Sequence, residues 1–245
     1  MLRPDPRGGF VVQRLDVHQN TPDDRMNQFG DDRQAHWDAV YEPGDVEHLG
    51  WYEDSPEQSI EMIKWTRAPR DALILDVGSG ASTLIPNLLS LGYEKIVATD
   101  VSARALAEAR GRMPAADSER VTWVVDDVLR PDSLARLAGR VHVWHDRAMF
   151  HFLIDDGERD LYLETLHRLV RPGGHVIIAA FSLDGVDRCS GLPVRRYSEV
   201  LIGGALGPEY RLVHSFGYKY QTPSGEQRPY VYTLFCRDAG QTADL

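Results

Sequence analysis

Between residues 73 and 100 the sequence sets a carboxylate, a glycine turn and a second carboxylate at a spacing that can hold a nucleoside. Leu73-Ile-Leu-Asp-Val-Gly-Ser-Gly80 is an apolar run ending in Asp76, Gly78 and Gly80, and Lys95-Ile-Val-Ala-Thr-Asp100 is a second run ending in an acid 20 residues past Gly80. Glycines after a strand let a ligand approach the backbone, and an acid closing the next strand can accept hydrogen bonds from both ribose hydroxyls. Thr83 stands where a dinucleotide site would carry its third glycine. That glycine serves close helix packing beside a pyrophosphate, so the pattern argues against NAD and for a nucleoside without one.

A second group of reactive side chains follows in Val143-Trp-His-Asp-Arg-Ala-Met-Phe-His-Phe-Leu153. Ligand crevices of open α/β sheets lie outside the carboxyl ends of the strands, so His145, Asp146 and Arg147 are expected there, with His151 on the next turn. Asp146, His145 and His151 are the general-base candidates. Asp146 and Arg147 also read as a structural ion pair, and His151 as a histidine of the helix interior. Asp126-Asp127 closes a further apolar run, Val121–Val125, where binding groups concentrate.

Leu75-Asp-Val-Gly-Ser-Gly80 resembles the first motif, D/E-x-G-x-G, of the Rossmann-like (class I) S-adenosylmethionine (SAM) methyltransferases. Three more blocks fall in that family's order: Thr99-Asp-Val-Ser102 resembles the ribose motif, Val121–Val128 the adenine motif, and Leu169–Ile178 the turn and strand after the fourth helix. The resemblance implies SAM as cofactor, S-adenosylhomocysteine as product and in-line methyl transfer. It implies a cofactor site made by Asp76, Gly78, Gly80, Asp100, Val101, Asp127, Val128 and His145. Asp127 would accept from the adenine amino group and Val128 would offer its amide. The family's lid lies N-terminal to the first motif, where His36, Trp37, Tyr41, Trp51 and Tyr52 cluster. Aromatic faces there attract a sulfonium or ammonium cation, which adds Trp37 to the cofactor site and Trp51 and Tyr52 to the substrate site. Cys189-Ser-Gly-Leu-Pro-Val-Arg-Arg-Tyr-Ser198 resembles a block of a bacterial subgroup. With it, Arg195, Arg196 and Tyr197 join Arg147 as expected substrate contacts, a guanidinium fork and a phenol suiting a polar acceptor.

Composition narrows the acceptor. Acidic residues outnumber Lys and Arg by 37 to 27, which leaves no electrostatic footprint for a phosphate backbone and disfavours nucleic acid. No apolar run approaches the roughly 18 residues of a membrane span, and no signal core opens the chain, so a cytoplasmic enzyme is expected. Cys189 and Cys236 lack zinc spacing, no metal cluster is apparent, and reduced thiols fit that compartment. A small-molecule acceptor is therefore the leading expectation. A protein lysine is the alternative, since Asp146-Arg147 echoes the Asp-Lys of lysine methyltransferases. Non-methyl SAM chemistry and a SAM-binding module without turnover complete the set, and the oligomeric state is left open.

The elements that must position these groups follow from periodicity. Apolar runs alternating with amphipathic stretches predict a doubly wound, mostly parallel seven-stranded α/β sheet with an antiparallel edge hairpin. Strands are expected near 72–77, 95–100, 121–125, 140–145 and 174–181, with the hairpin over 210–237. Helices are expected near 83–91, 103–112, 132–138 and 158–170. The domain plan is a flexible leader over 1–30, a helical lid over 31–70 and the SAM-binding domain over 71–240. In the lid, Ser55 and Pro56 read as a helix start, with Ile60, Ile63 and Trp65 inward.

Overall fold

A computed structural model describes residues 32–42 and 45–240, so the leader predicted over 1–30 lies outside the described residues. Helix α1 covers residues 32–40, and α2 (Glu57–Trp65) leads into strand β1 (Leu73–Val77). The alternation then runs α3 (Leu84–Ser90), β2 (Lys95–Asp100), α4 (Ala103–Gly111), a short α5 (Ala115–Ser118), β3 (Val121–Val125) and β4 (Val141–Arg147). Helix α6 (Asp156–Leu169) passes directly into β5 (Val170–Phe181). A two-stranded insertion, β6 (Arg188–Cys189) and β7 (Leu192–Pro193), precedes α7 (Glu199–Leu206) and the hairpin β8 (Tyr210–Gln221) and β9 (Gln227–Arg237).

The seven-stranded sheet has the order β3-β2-β1-β4-β5-β9-β8. The first five strands pair in parallel, and β9 runs antiparallel to both β5 and β8. Successive strand side chains point to opposite faces, which sorts the core into two layers. Ile74, Ile96, Val143 and Ile177 pack beneath α2 and α3, while Leu75, Val97, Trp144 and Ile178 pack against α6 and α7. The order reverses at β1, between β2 and β4, and there the carboxyl ends splay into a crevice.

Local chemistry sets the boundaries. Ser102 caps α4 by accepting from the Ala105 N–H at 3.0 Å, and Asp155 caps α6 by accepting from the Glu158 N–H at 3.2 Å. That acidic cap starts α6 two residues earlier than periodicity predicts. The segment expected as a helix near 132–138 is a 3-10 helix, Ser133–Leu137, because the Asp126 carboxylate holds the N–H groups of Asp132 and Leu134 at 3.2 and 2.9 Å. In the lid, α2 begins at Glu57 with Pro56 at the cap position. Ser59, Met62 and Ile63 take its inward face, whereas Trp65 is 54% exposed and stacks on His214 at 4.6 Å. Trp65 lies two residues past Ile63, which turns it away from the sheet.

Asp146 illustrates the same alternation on β4. His145 and Arg147 face the crevice side with β1, and Asp146 faces α6. Its carboxylate is fully buried and accepts from the N–H groups of Met149 and Phe150 at 3.1 and 3.2 Å and from the Tyr162 hydroxyl at 2.7 Å. All of its reach is spent on the turn after β4 and on α6. Burial pushes its pKa up to about 6, against the pull of Tyr162 and the two amides. A raised carboxylate pKa favours the folded state below the unfolded value, and that contribution is lost as pH rises through about 6. Asp146→Ala leaves three buried donors unpaired and is expected to cost about 3 kcal/mol. At this chain length that lowers the melting temperature by roughly 6–12 °C in a calorimetric scan at neutral pH.

Candidate functional site

Beyond the carboxyl ends of β1, β2 and β4 lies a cavity with about 1390 Å³ of empty space, its open mouth included. Its floor is the turn after β1. Gly78 and Gly80 hold φ of +60° and +55°, a left-handed backbone that only glycine adopts without strain. A Cβ on Gly78 would lie 2.8 Å from the Met149 Cβ, and one on Gly80 would collide with the Tyr41 hydroxyl. The turn therefore packs as tightly against the protein as it approaches the cavity.

Asp100 sits at the rim of this turn. One carboxylate oxygen accepts from the Gly80 N–H and the other from the Ser102 N–H, both at 2.9 Å. Burial pushes its pKa up to about 6, although those amides pull it down. Each oxygen keeps a lone pair for a ligand hydroxyl. Asp76 pairs in register with His145 across β1 and β4, and its Oδ1 meets His145 Nδ1 at 2.6 Å. His145 Nε2 meets Ser59 Oγ at 2.9 Å. Asp76 Oδ2 is buried and has no partner among the described residues, an acceptor held at the cavity wall.

Val101 and Val128 line the cavity, and Asp127 does not. Its two oxygens receive Arg33 Nη1 at 3.3 and 3.2 Å and the Leu129 N–H at 2.9 Å, while Arg33 Nη2 reaches Glu158 at 2.7 Å. Arg33 thus fastens α1 across the edge of the cavity. Farther along α1, Asp38 accepts from the Ser102 hydroxyl at 2.6 Å, and Trp37 meets Trp51 and Phe152 edge to face at 5.9 and 5.0 Å. Trp37, Trp51 and Tyr52 all line the cavity from the lid.

Arg147 lines it too, yet its donors are directed into the protein. Nε donates to the Tyr232 hydroxyl at 3.1 Å, Nη1 to the Trp51 carbonyl at 2.9 Å, and Nη2 lies 3.0 Å from Glu53. The guanidinium also lies over the rings of Tyr220 and Tyr230, at 5.3 and 5.5 Å. Burial pushes the Glu53 carboxyl up, against the opposing pull of Arg147. Glu53 and Ser59 are cavity groups that the sequence reading did not single out. A polar residue three positions before Met62 on the inward face was the available signal for Ser59; Glu53 lies in a loop without periodicity.

Other expected contacts fall elsewhere. Asp146, as shown above, faces α6 rather than the cavity. His151 is fully buried, stacks on Phe181 at 4.3 Å, and has neither ring nitrogen bonded among the described residues. Burial drives its pKa down to about 3, so the ring is neutral, and it lies behind the cavity wall. Arg195 pairs with Asp156 at 3.3 Å, Arg196 donates to the Gly185 carbonyl at 3.4 Å, and Tyr197 is buried against Phe150 at 4.9 Å. None of the three lines the cavity. The Tyr197 N–H bonds the Phe181 carbonyl at 2.8 Å, which carries residues 195–197 along the sheet toward α7. The insertion instead reaches the cavity through Cys189 and Leu192 on its small hairpin. Among the described residues no group of three or more His, Cys, Asp or Glu is placed to hold a metal, and no helix is long and apolar enough to cross a membrane.

Residues 74–174 match the family model of a methyltransferase domain. The chain is a SAM-dependent methyltransferase. The methyltransferase is 26% identical over 198 residues to mouse (Mus musculus) EEF1A lysine methyltransferase 2, covering 71% of this chain and 78% of that protein. A SAM-dependent methyltransferase from Anabaena variabilis superposes with a TM-score of 0.66 at 15% identity, covering 85% of this chain and 95% of that one. The 1,6-didemethyltoxoflavin-N1-methyltransferase of Burkholderia thailandensis, solved with S-adenosylhomocysteine, superposes at 0.62 and 20% identity, covering 91% and 93%. These likenesses establish the Rossmann-like fold. SAM is the cofactor, and the cavity suits it: the glycine cradle, the Asp100 carboxylate and the unpartnered Asp76 oxygen give acceptors for its hydroxyls and ammonium.

If Asp100 accepts from the ribose, Asp100→Ala loses charge-assisted bonds worth about 1.5–3 kcal/mol, a roughly ten- to hundredfold loss of SAM affinity by calorimetry. In the wild type, affinity should weaken as pH falls through about 6, because a protonated Asp100 offers one acceptor fewer. The pH dependence should be absent from Asp100→Ala.

Proposed function

We propose that the enzyme methylates an amine, the side chain of a lysine on a protein partner. The carrying observation is the 198-residue likeness to a lysine methyltransferase, which extends well outside the methyltransferase domain at residues 74–174. The cavity agrees chemically. Trp37, Trp51 and Phe152 offer aromatic faces to an aliphatic stem and its ammonium, with the Glu53 carboxylate on the same wall. A formal net charge of −10 favours approach of a basic partner. When bound, SAM supplies an electrophilic methyl group on a sulfonium.

The residues present would hold the cofactor as follows: the Gly78–Gly80 turn and Asp76 at its amino-acid end, Asp100 at the ribose, and Val101 and Val128 flanking the base. In the resting structure Asp127 is engaged by Arg33, so its role at adenine requires α1 to rearrange. Alignment and removal of water are the main tasks left to the protein, and the α1 aromatics serve both.

A small-molecule acceptor is the second reading. It is favoured by Cys189 and Leu192, which bring the insertion to the cavity and narrow access for a folded partner. Incubating the enzyme with methyl-labelled SAM and a protein extract decides between them. Label is expected in the acid-insoluble fraction, as methyl-lysine after hydrolysis. Label confined to small molecules would replace the lysine reading with the second one.

A further inference from the structure

Asp76, His145 and Ser59 form a buried hydrogen-bonded chain at the cavity wall. A carboxylate can only accept, so His145 Nδ1 carries the hydrogen shared with Asp76 at 2.6 Å. A neutral imidazole with hydrogen on Nδ1 has a bare Nε2, which must accept from the Ser59 hydroxyl at 2.9 Å. Ser59 is 1% exposed and lines the cavity together with His145 and Asp76. Its oxygen has two lone pairs with which it can accept from a donor in the cavity.

We propose that Ser59 and His145 relay the proton released by the incoming amine. This rests on the amine reading of the acceptor. An alkylammonium N–H donates to a lone pair of Ser59 Oγ. As that N–H bond breaks and the proton passes to Ser59, the hydroxyl proton of Ser59 passes to His145 Nε2. The amine nitrogen keeps the electron pair, Ser59 ends as a neutral hydroxyl, and His145 becomes an imidazolium paired with Asp76. The charged groups on the ring's side of the sheet are Asp76 on β1, Glu53 on the lid loop and Arg147 on its own strand. The arrangement has the geometry of a nucleophile, base and orienting acid. Here the hydroxyl transmits a proton in place of attacking.

Nitrogen-15 NMR of the histidine rings in the full chain, loaded with S-adenosylhomocysteine and titrated with n-butylamine, tests this directly. Before amine is added, His145 should show hydrogen on Nδ1 and a bare Nε2. Ser59→Ala should move the bare Nε2 resonance downfield, because it loses the hydroxyl it accepts from, while cofactor affinity stays within about twofold. With n-butylamine as probe acceptor and SAM in place of its product, Ser59→Ala should also lower kcat about a hundredfold. His145→Gln, checked for fold by its melting curve and SAM affinity, should lose activity to a similar degree. Hydrogen on Nε2 at rest, or an Nε2 resonance unchanged in Ser59→Ala, would overturn the relay and leave the amine reading intact. Failure of the amine to bind a chain with the expected tautomer would overturn the amine reading, and the relay with it.

Discussion

A charge carried into a protein interior must find partners there, and the buried guanidinium of Arg147 finds them on two separate parts of the chain. It takes the Trp51 carbonyl and Glu53 from the lid loop, and the Tyr232 hydroxyl from β9. Because β4 projects this side chain toward the crevice, the lid loop is drawn over the carboxyl ends of the strands. Arg228 adds a second tie, from β9 to the Gly50 carbonyl at 3.4 Å. The N-terminal segment is therefore part of the site's wall by electrostatic necessity as well as by aromatic packing.

The lid's other end is tied differently. α1 is fixed by Arg33 to Asp127 and Glu158 and by Asp38 to Ser102, contacts at the periphery with partial exposure. Partly exposed pairs hold less strongly than the buried one at Arg147. The fold thus combines a firmly anchored loop at one end of the cavity with a more exposed fastening at the other.

Two aspartates on neighbouring strands show how environment assigns work. Asp76 and Asp146 both close apolar strands and both are buried. Asp146 has its oxygens filled by two amides and a phenol and holds the turn after β4 against α6. Asp76 has one oxygen on His145 and one left at the cavity, where a ligand can use it. The difference is one of strand face.

The sequence alone determined the sheet, because a run such as Leu73–Val77 buried on both faces is apolar at nearly every position and ends abruptly at glycine. It also determined the glycine turn after β1 and the carboxylate at its rim. Gly78, Gly80 and Asp100 act through backbone conformation and a strand-end position, and both are encoded within about 25 residues of chain. Ser102 as a cap and the β8–β9 hairpin were legible for the same local reason. The polar wall beneath the lid loop was decided only by tertiary structure. Glu53, Ser59, Arg147 and Tyr232 come from a loop, a helix and two strands, and no spacing in the chain announces that they meet. Asp146 and His151 have the right types at the right strand end, but pleat and packing turned them inward. Arg195, Arg196 and Tyr197 were carried away by backbone hydrogen bonds from Arg195 to His151 and from Tyr197 to Phe181. Where a side chain's role depends on which face it presents to a distant segment, residue type and spacing are silent, and only the folded chain supplies the answer.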